Sequence, residues 1–283
     1  MIRIALVFVL VALGSHAQER AITLASTTST QNSGLYDHLL PLFEAETGIA
    51  VRVIAVGTGQ ALRIARNGDA DALMVHHRPS EEAFVAEGYG VARVDVMYND
   101  FVLVGPSRDP AGIAEATGIE DALRRIEASG SAFASRGDDS GTHKKEQDLL
   151  AQAGLAPSGS WYLETGSGMG ATLNTATALG AYSLSDRGTW ISFGNKQDHV
   201  LLFSGDPALH NPYGAIVVNP ERHDHVKDEL AQTFVDWLVS DQGQEAIGAF
   251  EIEGEQLFCP DAPAFRGARL AAGLSCPSPI TRR

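Results

Sequence analysis

Short apolar runs alternate along the chain with stretches in which apolar side chains recur at helical spacing. ITLAST (22–27), VRVIAV (51–56) and ALMV (72–75) read as strands, with helices expected after Ser33 and after Gly59. That alternation predicts βαβ units and a fold of the α/β class. Further strand-like runs follow at FVLVGP (101–106), FASRG (133–137), WYLET (161–165), YSLSD (182–186), LLFSG (201–205) and GAIVVN (214–219). A last strong helix, Asp228 to Val239, puts Leu230, Phe234, Trp237 and Leu238 on one face. Gly48, Gly68, Gly154 and Gly180 each fall just past an apolar-periodic segment, where a left-handed residue ends a helix. Neither an internal repeat nor a low-complexity linker interrupts the pattern. Two lobes would therefore have to be joined by strands, with FVLVGP and the stretch around Asn211 to Ile216 as the crossings and Tyr98, Asn99 and Asp100 at the hinge.

The first residues break this rhythm. Arg3, an apolar run from Ala5 to Gly14 and the small-x-small triplet Ser15-His16-Ala17 have the order of a signal peptide (1–17), with cleavage expected after Ala17. The apolar run is too short for a spanning helix, and no Cys follows it to carry a lipid, so a free periplasmic protein is expected. The two cysteines, Cys259 and Cys276, are expected to form one disulfide pinning the tail, since an oxidising compartment and an even count favour pairing. The composition, 44% hydrophobic and 20% charged, suits a soluble globular chain, and 283 residues suffice for a sizeable core. A net charge of −14 argues against nucleic-acid binding, which needs clustered Lys and Arg. An anionic ligand would have to be captured locally, against the field of the whole chain.

Candidate chemistry gathers where strands end. Four times a strand runs into a short Ser/Thr/Gly turn that opens a helix: STTSTQNSG (26–34), VGTGQ (56–60), SRGDDSGTHKKE (135–146) and TGSGMGAT (165–172). In open α/β sheets the crevice beyond the carboxyl ends of the strands receives ligands, and helix N-termini there offer N–H donors and partial positive charge. A single such turn is ordinary N-capping; four in one chain point to an anion site. The third turn is the most specific. Arg136 offers a planar, permanently charged fork, and the Ser140 and Thr142 hydroxyls converge with the Gly141 and Thr142 N–H groups at a helix start. A donor set of this kind suits a small tetrahedral oxyanion. Asp138 and Asp139 are expected to pair with Arg136, cap the helix or face away.

These segments, together with GDADALMVHH (68–77), EGYGVARVDVMYNDFVLVGP (87–106), WYLETGSGMGATLN (161–174) and NPYGAIVVNP (211–220), carry a resemblance over nearly the whole mature chain. The sequence resembles the periplasmic tungstate-binding proteins of ABC transporters, and its R-x3-S-G-T arrangement is similar to that of phosphate-binding proteins of the same wider fold. The resemblance implies a two-lobed, type II periplasmic binding protein, each lobe a sheet flanked by helices, that closes on an oxyanion and delivers it to a membrane permease. It implies binding without catalysis, no cofactor, tungstate or molybdate as ligand, and a monomer. Carried over position by position, the binding elements fall on Thr27, Thr28 and Ser29, on Thr58, and on Arg136, Ser140 and Thr142, with Thr172 as a further candidate. Ser26 stands where the family's first threonine is usual, which keeps the hydroxyl. The lobes are expected at 18–104 with 213–283, and at 105–212.

Physical chemistry narrows the ligand without fixing it. Phosphate near neutral pH keeps a proton and benefits from a carboxylate acceptor, whereas tungstate, molybdate and sulfate want donors only. Asp71 is expected to serve structure near the start of a buried strand, and Asp186 and Arg187 to make a local ion pair, although Asp71 or Arg187 could face the crevice. Two other readings stay open here. His76-His77, His143 and His223-x-His225 raise a metal-ion binder, but tight ligand spacing is missing and the segment ERHDHVKDE (221–229) reads as a solvated face. DDSGTH (138–143) raises a serine hydrolase, but the G-x-S-x-G elbow is absent because residue 138 is Asp.

Overall fold

A computed structural model describes residues 20–271. The expected signal peptide and Cys276 lie outside the described residues.

The chain begins with β1 (Ala21–Thr27), a short helix α1 (Thr28–Asn32), α2 (Leu35–Thr47), β2 (Ala50–Val56), α3 (Thr58–Arg66), β3 (Ala72–Val75) and α4 (Arg78–Ala86). β1 lies between β2 and β3 and is parallel to both. Helix α2 ends on Gly48, whose φ of 65° is left-handed, as the sequence pattern requires. Two early helices, α1 and α4, were not announced by the pattern; in α1 the hydroxyl run STTST starts its own helix directly after β1, with Thr27 as N-cap.

β4 (Gly90–Pro106) then runs for 17 residues and belongs to two sheets. From Gly90 to Asp100 it pairs antiparallel with β9 (His210–Val218), which in turn flanks β3. From Phe101 to Pro106 it pairs instead with β7 (Ser183–Asp186) and β8 (His199–Phe203). Beyond β7, a bridge from Tyr182 leads to β5 (Phe133–Ser135), which is parallel to β6 (Tyr162–Glu164). The helices of this second half are α5 (Ile119–Ser129), α6 (Gly141–Gln152), α7 (Met169–Leu179) and α8 (Arg187–Ser192). After β9 the chain returns to the first half with α9 (Asp228–Val239), α10 (Asp241–Gly248), the small pair β10 (Glu251–Ile252) and β11 (Glu255–Gln256), β12 (Cys259–Pro260) against β4, and α11 (Pro263–Ala271).

Each half has its own apolar core. In the first, α2 and α9 cover one face of the sheet, where Phe43 meets Phe234 and Trp237 edge-on at ring distances of 5.1 and 5.5 Å. The opposite face is filled by α3 and α4 through Ala61, Leu62, Ala65 and Phe84. In the second half, Leu103, Ile119, Leu123, Phe133, Leu149 and Tyr182 form the interior. Trp161, Tyr162, Trp190, Phe234 and Trp237 are all buried. Three polar side chains act as fasteners away from the carboxyl ends of the strands, of which Asp71 is buried, His223 half-buried and His225 exposed. Asp71, at the start of β3, accepts from the Thr23 and Lys227 N–H groups, both at 2.7 Å, which occupies both carboxylate oxygens. His223 and His225 reach the carbonyls of Arg66 and Gly68, each at 2.9 Å, just past the end of α3. The segment 221–229 remains largely exposed, as expected, with His225 exposed and His223 half-buried, and each ring finds a hydrogen-bond partner among the carbonyls at the end of α3.

Candidate functional site

The carboxyl ends of β1, β2 and β3 face those of β5, β6 and β7 across a cleft, and the helices that start there point their N-termini into it. α3 and α6 meet almost head to head. The Gly59 N–H donates to the Asp139 carbonyl at 3.3 Å, and Arg63 reaches the Asp139 carboxylate at 3.5 Å. A methyl group at Gly141 would lie 2.7 Å from His76 Cε1 and 2.9 Å from Thr58 Oγ1, so glycine is what allows α6 to approach the opposite wall.

On the first wall, Thr27 caps α1 and its Oγ1 lies 2.8 Å from Thr30 Oγ1 and 3.1 Å from Ser29 Oγ. Thr28 is half-buried at the first position of α1, and Ser29 is buried behind it. Thr58 opens α3 after an extended Gly57 that offers no capping side chain. The Thr58 hydroxyl is fully buried and has no hydrogen-bond partner within the chain. On the second wall, Ser140 caps α6, accepting from the His143 N–H at 3.2 Å. Gly141 and Thr142 are the first residues of that helix, and Thr142 Oγ1 is likewise buried without a partner. A buried hydroxyl that gives up water for nothing is costly. Two of them on facing helix N-termini mark the place where a ligand would restore the lost bonds.

Arg136, 3% exposed, supplies the positive charge. Its Nη2 donates to Asp138 at 2.5 Å and its Nε to the Ser167 carbonyl at 3.4 Å, which fixes the plane of the guanidinium. Asp138 also accepts from the Ser140 N–H at 3.2 Å, while Asp139, in the left-handed region with φ 59°, turns its carboxylate to Lys144 at 2.6 Å. The fourth turn is tied to the third: Ser167 N–H donates to the Arg136 carbonyl at 3.2 Å. Thr172 Oγ1 is engaged inside this turn, 2.7 Å from Thr165 Oγ1. It therefore braces the Arg136 turn and has no unmet hydrogen bond like those of Thr58 and Thr142.

Three residues that the sequence raised only as an ion pair, Asp186 and Arg187, or as a metal candidate, His76, stand at the site with other partners. Asp186, fully buried at the end of β7, caps α8: its two oxygens accept from the Thr189 N–H at 2.9 Å and the Thr189 hydroxyl at 2.6 Å. Arg187 is held by Asp100 through two bonds of 2.7 Å, where β4 changes partners. Burial raises the pKa of Asp100, opposed by Arg187. His76 follows β3 and stacks on Tyr213 at 4.8 Å. Its Nδ1 lies 3.0 Å from Asn211 Oδ1 and its Nε2 3.1 Å from Ser29 Oγ. Burial lowers its pKa to about 4, with Asp186 working the other way, so the ring is neutral near pH 7. Its position at a strand end was the available signal, since every other strand end of this wall contributes to the cleft. Among the described residues no group of three or more His, Cys, Asp or Glu is arranged to hold a metal ion.

Comparison with known proteins agrees with this geometry. A model described as a PBP superfamily domain, the periplasmic-binding-protein superfamily, matches residues 14–242. Tungstate-binding protein TupA of Peptoclostridium acidaminophilum is 46% identical over 246 residues, covering 86% of this chain and 86% of that protein. The chain belongs to the TupA family of tungstate-binding proteins within the PBP superfamily. Among solved structures of this superfamily, the TupA tungstate-binding protein from Desulfovibrio alaskensis G20 is 45% identical with a TM-score of 0.76, covering 86% of this chain and 99% of that one. The tungstate ABC transporter structure from Geobacter sulfurreducens is 50% identical with a TM-score of 0.76, covering 82% of this chain and 99% of that one. The fold is therefore that of a type II periplasmic binding protein, two lobes each built on a sheet flanked by helices, with the cleft between them.

Proposed function

We propose that this protein captures tungstate, or the nearly isosteric molybdate, between its two lobes and hands it to the permease of an ABC transporter. The observation that carries the reading is the pair of buried, unpartnered hydroxyls of Thr58 and Thr142 beside Arg136, on helix N-termini that face each other. An oxyanion seated there accepts from Thr58 and Thr142, from the N–H groups of Gly141 and Thr142, from Thr27, Thr28, Ser29 and Ser140, and from the Arg136 guanidinium. Nothing is made or broken covalently; the ligand joins the walls and so favours the closed arrangement. The carboxylates nearest the site already have both oxygens engaged, Asp138 by Arg136 and Ser140 and Asp186 by Thr189. This favours an unprotonated dianion over hydrogen phosphate, which brings a proton that needs an acceptor.

The reading includes export by a cleaved signal peptide ending at Ala17, a monomer in the periplasm, and a disulfide between Cys259 and Cys276. The buried position of Cys259 on β12 against β4 supports the last, because a bridge there would fasten the tail to the edge of the first sheet. The reading also includes a division into lobes near the expected boundaries at 104 and 212, supported by β4 exchanging β9 for β7 and β8 between Asp100 and Phe101 and by β9 beginning at His210. Isothermal titration of the dialysed mature protein with tungstate, then with molybdate, sulfate and phosphate in competition, tests the assignment. Tight tungstate binding that sulfate and phosphate cannot displace is expected. Silence with tungstate alongside clear binding of phosphate or sulfate would reassign the ligand within the same fold.

A further inference from the structure

A buried chain of hydrogen bonds runs from the hinge to the candidate site. Asn211 Nδ2 donates to Asn99 Oδ1 at 2.6 Å, and this turns Asn211 Oδ1 towards His76 Nδ1 at 3.0 Å. An amide oxygen can only accept, so Nδ1 carries the ring proton and Nε2 is left with a lone pair. That lone pair faces Ser29 Oγ at 3.1 Å, so in the ligand-free protein the Ser29 hydroxyl gives its proton to His76. Ser29 then presents lone pairs, the wrong polarity for an unprotonated oxyanion. If Ser29 turned its proton to the anion while His76 stayed neutral, Oγ and Nε2, both buried, would face each other lone pair to lone pair, a costly arrangement.

We propose that oxyanion binding reverses the His76–Ser29 hydrogen bond through uptake of one proton from solvent at His76 Nε2, which makes His76 the positioning residue that aims the Ser29 hydroxyl at the ligand. The inference rests on the oxyanion reading given above. In the complex, Nε2–H donates to Ser29 Oγ, Oγ–H donates to the anion, and Nδ1–H keeps its bond to Asn211. The groups around the ring are compatible with this exchange. Asp186 favours the imidazolium, Arg136 and the neighbouring His77 oppose it, and burial opposes it most. Tyr213, stacked on the ring, stays an uncharged phenol because burial raises its pKa further. An arriving dianion adds negative charge beside a ring whose pKa burial had lowered to about 4, and so draws the proton in. A group whose pKa rises on binding strengthens binding as the pH falls, so tungstate affinity declines by close to tenfold per pH unit between the pKa of the free ring, about 4, and that of the complex, and levels off above the latter.

The test is calorimetry with sodium tungstate at pH 7.5 in two buffers of different ionisation heat, Tris and PIPES, repeated between pH 7 and 9. Uptake of close to one proton per tungstate is expected, with both ring nitrogens of His76 protonated by 15N NMR in the complex. His76→Gln, whose side-chain amide can donate to Ser29 without titrating, is expected to bind tungstate with a proton number near zero and a flat pH profile. Tungstate binding by the unmodified protein without proton uptake would overturn this inference alone, as would uptake that persists in His76→Gln. Failure to bind tungstate at all would overturn the oxyanion reading and this inference with it.

Discussion

The wall built on β1, β2 and β3 and the wall built on β5, β6 and β7 meet the cleft with different chemistry. The first offers hydroxyls and N–H groups from Thr27, Thr28, Ser29 and Thr58, and its nearest titratable group, His76, is a neutral ring. The second carries the formal charge of Arg136, already half-neutralised by Asp138, beside Ser140 and Thr142. On this reading the charged wall supplies strength, because a buried guanidinium makes charge-assisted bonds, and the uncharged wall supplies fit and polarity. The arrangement also explains how a chain of net charge −14 can hold an anion: the surrounding field is screened over distance, while the donors act at contact.

If that division of labour is right, Arg136→Ala should do the most damage, lowering tungstate affinity by more than about tenfold by titration calorimetry, since it removes the one charged donor placed there and frees Asp138 to repel the ligand. Unchanged affinity would break the comparison outright. Gly141→Ala should cost roughly tenfold, because the added methyl meets His76 and Thr58 at under 3.0 Å and pushes the walls apart; thermal stability without ligand should hardly change, which a melting curve checks. Thr58→Val should weaken tungstate about threefold to tenfold while leaving the ligand-free protein as stable or slightly more so, because it deletes a buried hydroxyl that has no partner. A loss of stability would mean that Thr58 serves the fold instead. The smallest effect on binding is expected from Glu146→Gln, deep in α6. Burial pushes the Glu146 carboxyl up to about 7, so the folded protein holds a proton that the unfolded chain releases above its ordinary carboxylate pKa. Stability should therefore fall as the pH rises towards and through 7, and the glutamine should remove that part of the fall, worth roughly a few degrees between pH 6 and 8 by scanning calorimetry, with affinity unchanged.

Much of this was legible before any coordinates. β1, β2, β3 and α9 follow from apolar spacing, and Gly48 and Gly180 end their helices in the left-handed conformation their positions announced. The four hydroxyl-rich turns do stand at strand ends. The first half of β4 was harder to see because Arg93 and Asp95 interrupt its apolar run. The Arg93 side chain is buried, paired with Glu81 at 2.5 Å and with the half-buried Asp95 at 2.6 Å, so these charges serve an ion-pair network within the strand's packing. Residue type also left direction undetermined. Asp71 and Asp186 both stand at strand ends, yet one fastens the back of the sheet and the other caps a helix at the cleft. His76 could be read only as a metal candidate, since Asn211 and Ser29, which set its protons, are distant in sequence.

One strand makes the molecule indivisible. Because the ladder of β4 passes without interruption from one lobe to the other, neither lobe can be cut out with a complete set of paired edges, and separately expressed halves would each expose an unsatisfied strand. For the same reason, inserting a single residue between Asp100 and Phe101 would turn every following side chain of β4 to the opposite face, driving Phe101 and Leu103 into the cluster that now holds Val102 and Val104 and the valines into theirs, so that neither side of the second sheet keeps its packing.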